Sequence, residues 1–396
     1  MNRRIALVTR CLDGGGIQRS LITMGAVFAE RGFDVDLLVG DASGPMREAC
    51  PPSIRLVALP ISPVLKARAW LVAADPAGAR AIWPLLVGPG PRMIRHLPAL
   101  VGYLGRWRPD ALVAAGTQSN VGVILARRIA GGTTRIAVSE RNAMSVVARR
   151  GRGGFRRSYP GIARRLYPLA DAVVAVSHAV ADDLASLDVL PRQSIAAVYN
   201  PVVTPGLDAL IAAPIDHPWL DDDGAPVVLG VGRLHRQKDF PTLIRAFARI
   251  AARRDARLVI LGEGEERGRL EALSRSLGIA ERISLPGFVA NPFPWMARAG
   301  VLVLSSVLEG FGRVLTEAMA CGCPVVSADC PGGPREILGH GRYGRLVPVG
   351  DDRALAEAVL ATLGHPPTRA ALRRRAARFT AHACADRYLE LLFADQ

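Results

Sequence analysis

Two glutamates, Glu309 and Glu317, flank a glycine-rich turn in Ser305-Ser306-Val307-Leu308-Glu309-Gly310-Phe311-Gly312-Arg313-Val314-Leu315-Thr316-Glu317. An apolar run, Val301–Leu304, precedes the turn, and helix-period hydrophobics follow it. The turn therefore joins a buried strand to a helix. Backbone N–H groups there point into the crevice at the strand's carboxyl end, and the helix dipole favours an anion such as phosphate. A carboxylate beside phosphate is unfavourable unless it accepts hydrogen bonds from hydroxyls, which a sugar or a ribose supplies. The competing reading makes Glu309 a helix cap and Glu317 an ordinary first-turn acid.

A second cluster, Val231-Gly232-Arg233-Leu234 with Lys238, also follows a strand-like run. Of 50 basic residues only Lys66 and Lys238 are lysine, so Lys238 stands against a strong arginine bias. In Asp13-Gly14-Gly15-Gly16-Ile17-Gln18-Arg19, a glycine run after the first strand permits close backbone approach, or forms a plain flexible turn. It lacks the spacing and following acid of a dinucleotide fingerprint. Ser139-Glu140-Arg141-Asn142 ends another strand, so Glu140 is a candidate acid–base group and Arg141 a candidate for an anionic acceptor. An ordinary surface loop is the alternative. His178, after the next strand, is either catalytic or a helix-start residue. Cys11, Cys50, Cys321, Cys323, Cys330 and Cys384 form no framework and no zinc pattern, and read as buried thiols.

These groups need a scaffold of buried strands. Runs at Ile5–Val8, Val35–Val39, Ala111–Ala115, Ile136–Val138, Ala172–Val176, Val227–Val231, Arg257–Leu261, Ile283–Leu285, Val301–Leu304 and Pro324–Ser327 alternate with helical stretches such as Asp239–Arg253 and Arg267–Leu277. The alternation predicts α/β architecture with two parallel, doubly wound sheets. The join falls near Asn200–Pro205, and a helical end runs from about Arg369 to Phe393.

Net charge is +15, and it is concentrated. Residues 51–170 carry nineteen Lys and Arg against Asp75, Asp110 and Glu140, a local +16. Interleaved with them are Trp70, Trp83, Leu85, Leu86, Val87, Met93, Ile94, Leu97, Leu100 and Val101. Basic plus apolar fits an anionic lipid surface better than nucleic acid, for which no motif is present; a solvated arginine-rich surface is the alternative. The sharpest basic run is Arg149-Arg150-Gly151-Arg152-Gly153-Gly154-Phe155-Arg156-Arg157. No apolar stretch is long enough for a spanning helix.

The Glu309…Glu317 string resembles the E-x7-E signature of the large GT-B family of retaining glycosyltransferases (glycosyltransferase family 4, group 1). Lys238-Asp239-Phe240-Pro241-Thr242-Leu243, Gly262-Glu263-Gly264, Leu285-Pro286-Gly287-Phe288 and Pro331-Gly332-Gly333-Pro334-Arg335-Glu336 follow the family pattern in the expected order. The resemblance implies two Rossmann-like domains facing a central cleft. Residues 1–200 would form the acceptor domain, with its basic 51–170 segment toward the membrane. Residues 201–375 would bind the nucleotide-sugar, and a final helix, 376–396, would return to the first domain.

It further implies roles. Arg233 and Lys238 would bind the donor diphosphate. Glu309, with the backbone of Gly310, Phe311 and Gly312, would meet the donor sugar. Val314 and Leu315 would offer N–H groups to phosphate, and Glu317 would hold the ribose. Gly287 and Phe288 would line the base. Gly15 and Gly16 would close on the phosphates from the opposite domain. The implied enzyme is a metal-independent hexosyl- or N-acetylhexosaminyltransferase without a cofactor, cytoplasmic and peripheral on the membrane. It would take a nucleotide-sugar, UDP-linked by preference, and a lipid-linked or polysaccharide acceptor. A nucleotide-sugar epimerase of the same fold and an inert nucleotide-sugar-binding adaptor are the competitors.

Overall fold

A computed structural model describes residues 2–13, 15–76, 83–85, 92–150, 154–220 and 224–394. The chain forms two compact units, residues 1–201 with 381–396 and residues 202–380.

The first unit holds a seven-stranded sheet. Its strands are β1 (Arg4–Cys11), β2 (Asp34–Asp41), β3 (Ile54–Ala58), β4 (Ala111–Ala115), β5 (Arg135–Glu140), β6 (Ala172–Ala175) and β7 (Ile195–Ala197). They lie in the order β3-β2-β1-β4-β5-β6-β7, every pair parallel. The central strands are almost wholly buried, as expected of Val-, Leu- and Ala-rich runs covered on both faces. Ile5, Leu7, Phe28, Leu37 and Val113 share a core with Ala385, Tyr388 and Leu392 of the last helix, Ala381–Phe393.

The second unit holds β8 (Val227–Val231), β9 (Arg257–Leu261), β10 (Ile283–Gly287), β11 (Val301–Leu304), β12 (Val325–Ala328) and β13 (Arg345–Val347). The order is β10-β9-β8-β11-β12-β13, again all parallel. In both sheets the order reverses beside the unit's first strand, between β1 and β4 and between β8 and β11. Such switch points leave a crevice at the carboxyl ends of the strands.

Strands β3, β7 and β13 are absent from the sequence reading. Each is an edge strand, short or half-exposed, and so its apolar run is too brief or too interrupted to stand out. The expected helical end is two helices, Arg369–Ala376 and Ala381–Phe393. Between them the Phe379 carbonyl accepts from the N–H groups of Val202 and Val203, and Thr380 bridges Val203. These lateral bonds draw the backbone out of helical pairing, and the chain passes from the second unit to the first at this point.

One expectation for the basic segment is corrected. Leu85, Met93, Ile94, Leu97 and Leu100 lie in the core rather than on a lipid-facing surface. Their neighbours along the fold are apolar, and water is excluded from them as from any core residue. Trp83 is exposed, Trp70 and Val101 are half-buried, and Leu86 and Val87 lie outside the described residues. Among the described residues no helix is long and apolar enough to cross a membrane. All six cysteines are free, and only Cys50 is not buried.

Candidate functional site

In the second unit, two loops at the carboxyl ends of β8 and β11 are fastened together. The Val307 N–H donates to the Gln237 carbonyl at 2.9 Å, and Gln237 Nε2 donates to the Leu308 carbonyl at 2.8 Å. Ser305 Oγ donates to the Lys238 carbonyl at 2.8 Å. This stapling brings Lys238 and Glu309, 71 residues apart, into contact: Nζ lies 2.5 Å from Oε1. Ser306 Oγ donates to the same oxygen at 2.7 Å. Arg233, in the Lys238 loop, is exposed, and among the described residues no acid pairs with it.

The turn after Glu309 is shaped from beneath. Gly332 has φ +121°, and a Cβ there would lie 1.5 Å from the Glu309 carbonyl oxygen. The Glu309 N–H donates to the Pro331 carbonyl and the Gly333 N–H to that of Gly310. Only glycine permits this approach, which accounts for the Pro331-Gly332-Gly333 string. Gly312, left-handed at φ +91°, starts the helix Arg313–Ala320 without a side-chain cap. Phe311 is buried against Phe379, with ring centroids 5.5 Å apart. Val314 and Leu315 are buried in the first turn. Glu317 is 5% exposed and its Oε1 accepts from Arg313 Nη2 at 3.2 Å.

A third loop joins these two. The Gly262 N–H donates to the Gly287 carbonyl at 2.7 Å, and the Leu234 N–H to that of Glu263 at 2.8 Å. Gly262 sits with φ +142°, and a Cβ there would lie 2.0 Å from the Gly232 carbonyl oxygen. Gly287 is buried and Phe288, next to it, is half-exposed.

At the switch point of the first unit, the helix Gly16–Glu30 begins after Gly15 with no side-chain cap, and Gly16 is exposed. Gly14 lies outside the described residues. Glu140, at the end of β5, is 3% exposed. Thr117 Oγ1 donates to its two oxygens at 3.1 and 3.0 Å, Tyr167 Oη donates to Oε2 at 2.7 Å, and the Arg141 N–H donates to Oε1 at 3.1 Å. Burial raises the Glu140 carboxyl above its ordinary range, against the lowering effect of these donors. Burial likewise holds the Tyr167 hydroxyl protonated.

Arg141 departs from the reading of a charge offered to an acceptor. It is buried, with Nη2 donating to Asn200 Oδ1 at 2.6 Å and Nη1 to Ser139 Oγ at 3.2 Å. A guanidinium removed from water needs fixed oxygens around it, and those oxygens point it toward the unit's last segment. Asn200 thus anchors the chain where it leaves the unit. His178 starts a helix, with Ser177 as the cap accepting from the Val180 N–H.

Sequence reasoning missed Gln237, Ser306, Arg313, Thr117 and Tyr167. Gln237 and Arg313 stand inside or beside strings already singled out, so their place was a usable signal. Tyr167 lies 27 residues from Glu140, and nothing local links them. Among the described residues no three His, Cys, Asp or Glu side chains converge as a metal set would.

Residues 14–204 match the family described as Glycosyltransferase Family 4, and residues 215–379 match that described as Glycosyl transferases group 1. Over 259 residues the chain is 30% identical to N-acetylgalactosamine-N,N'-diacetylbacillosaminyl-diphospho-undecaprenol 4-alpha-N-acetylgalactosaminyltransferase of Campylobacter jejuni, covering 64% of this chain and 67% of that one. Over 227 residues it is 32% identical to the lipopolysaccharide core biosynthesis glycosyltransferase LpsE of Rhizobium meliloti, covering 56% and 64%. The structure of Anabaena HepE in complex with UDP and glucose superposes with a TM-score of 0.76, at 20% identity, over 100% of both chains. At that identity the likeness is one of fold.

Proposed function

Since the chain belongs to the GT-B glycosyltransferases of group 1 and family 4, we propose that it transfers a hexose or N-acetylhexosamine from a UDP-sugar to a lipid-linked or surface-polysaccharide acceptor, with retention at the anomeric carbon. The observation that carries this reading is the Lys238–Glu309 contact, which joins the loop of the exposed Arg233 to the turn that opens an uncapped helix. Cations and free N–H groups meet a diphosphate, and a carboxylate beside them takes a sugar hydroxyl.

In this reading Arg233 and Lys238 hold the diphosphate and stabilise the charge that grows on it as the glycosidic bond breaks. The Val314 N–H adds to that field, whereas the Leu315 N–H, expected to do the same, donates to the Gly312 carbonyl at 3.0 Å. Glu309 and the backbone from Gly310 to Gly312 orient the sugar, Glu317 takes the ribose hydroxyls, and Gly287 with Phe288 borders the base. The departing phosphate receives the acceptor's proton on the same face, so catalysis rests on positioning and charge stabilisation. Glu140 is proposed for the acceptor side as a buried, proton-holding group. Arg233 and Lys238 supply the positive charge that a cation would bring elsewhere, so transfer is proposed to be metal-independent. An anionic membrane at its cytoplasmic face is the proposed working surface.

The names of the relatives support the acceptor class, through diphospho-undecaprenol and lipopolysaccharide core, and the HepE complex supports UDP. The test begins with thermal shifts on UDP-, GDP- and ADP-sugars, where ligand at ~100 times its dissociation constant adds about 2.7 kcal/mol. Product anomers are then assigned by NMR, with and without chelator. An inverted product, loss of transfer on chelation, or epimerised donor without transfer would each refute the corresponding part.

A further inference from the structure

The helix Val64–Ala74 has an unusual distribution of side chains. It packs inward through Ala67, Leu71 and Ala74, all at most 4% exposed. At 100° per residue, Leu65, Ala69, Val72 and Ala73 form the opposite stripe. All four are exposed, Leu65 by 78% and Val72 by 45%. Ile61, just before the helix, is 52% exposed. A surface helix normally turns charge to solvent; this one is apolar on both faces. Other exposed large hydrophobics, such as Leu210, Leu277 and Val349, stand singly and call for no partner.

The charges settle which partner fits. Lys66 and Arg68 are the helix's only ionisable residues, and the helical rotation sets one on each side of the apolar stripe. Between residues 51 and 109 the sole acid is Asp75. It is fully buried and held by the Arg165 fork at 2.9 and 3.0 Å, so it cancels nothing at this face. An apolar stripe edged by cations matches a bilayer with anionic headgroups: the stripe enters the acyl boundary while exposed Lys66 reaches the phosphates and half-buried Arg68 adds to the field. A second copy of the chain would set these cations against their equals.

We propose that the exposed face of the Val64–Ala74 helix, through Leu65, Ala69 and Val72 with Lys66 and Arg68 at its margins, is the surface by which this protein docks on an anionic bilayer. The proposal deepens the reading of a membrane-borne acceptor and rests on it. It also shifts the contact away from the Arg149–Arg157 run, most of whose side chains lie outside the described residues.

The full chain is sedimented with vesicles of phosphatidylglycerol and phosphatidylcholine, and with phosphatidylcholine alone, at low and high salt. The expected result is stronger binding to the anionic than to the neutral vesicles, with L65Q/V72Q lowering the partition by about tenfold or more. K66Q/R68Q lowers it by a smaller factor, and high salt reproduces that loss. R149Q/R156Q/R157Q leaves most of the binding. Absence of binding by the wild type, equal binding to neutral vesicles, or release by the R149Q set but not by L65Q/V72Q would overturn the proposal. So would a wild-type dimer in size-exclusion chromatography that L65Q/V72Q makes monomeric. Calorimetry with UDP is run in parallel. Wild-type binding retained in L65Q/V72Q shows that the variant is folded, whereas no UDP binding by the wild type counts against the donor reading and leaves the docking result to stand by itself.

Discussion

The two switch points solve the problem of a carboxylate in opposite ways. At the carboxyl ends of β8 and β11, each glutamate has a cation beside it: Lys238 for Glu309 and Arg313 for Glu317. At the end of β5, Glu140 meets two hydroxyls and one backbone N–H, while the adjacent guanidinium turns to Asn200. The first arrangement pairs each largely buried carboxylate with a cation, and leaves Arg233 exposed nearby. The second buries an acid among neutral donors and favours the proton on it. One region neutralises its acids with cations, the other with neutral donors and burial.

The sharpest way to break this contrast is to remove a cation from the second unit. Lys238→Ala and Arg233→Ala should each lower turnover by ~10²–10³, the usual loss for one preorganised charge contact, while melting temperature stays near that of the wild type. Near-normal transfer by either variant would end the phosphate assignment. Next in size is the anchor in the first unit. Asn200→Ala leaves the Arg141 guanidinium short of an oxygen, and should cost about 1–3 kcal/mol in urea unfolding. UDP affinity should barely change. If stability were untouched and UDP binding fell, Arg141 would belong to the site rather than to the scaffold.

The two glutamates of the second unit should separate by parameter. Glu317→Gln is expected to weaken UDP-sugar binding about tenfold in calorimetry, since a ribose contact exists before and during reaction. Glu309→Gln should act mainly on turnover. Unchanged donor affinity in Glu317→Gln would remove the ribose role.

The smallest effect, within about 1 kcal/mol, concerns Glu140→Gln and its dependence on pH. Because the folded carboxyl is raised, its stabilising contribution is complete below the unfolded value of 4.5 and is lost as pH rises through the folded value. Urea midpoints across that range should therefore show the variant gaining on the wild type as pH increases. A constant difference would mean that the hydroxyl donors fully offset burial.

Much of the second unit's site was legible because its parts are local strings. Glu309–Glu317, Gly232–Lys238 and Pro331–Gly333 each carry a turn and its chemistry within a few residues, and the glycines mark where backbone must approach backbone. The first unit was less legible. Glu140 and Arg141 look alike in sequence, two charged neighbours at a strand end, yet one is held by Tyr167 and the other by Asn200, 59 residues away. The basic segment misled for a related reason. Met93, Leu97 and Leu100 are apolar whether they face lipid or the Thr117–Ala130 helix, and composition cannot tell the two apart.

From the sequence by itself came the alternation of buried strands and helices, the two sheets, the glycine-shaped turns and the family. These depend on periodicity and on backbone sterics, which act over a few residues. Tertiary structure alone decided the rest: that Lys238 reaches Glu309, that Arg141 faces inward, that the end of the chain breaks into two helices, and which stripe of Val64–Ala74 meets solvent. Each of those depends on which groups long-range packing brings within bonding distance or shields from water, and a buried polar group is satisfied by whatever partner the fold delivers, however far along the chain it lies.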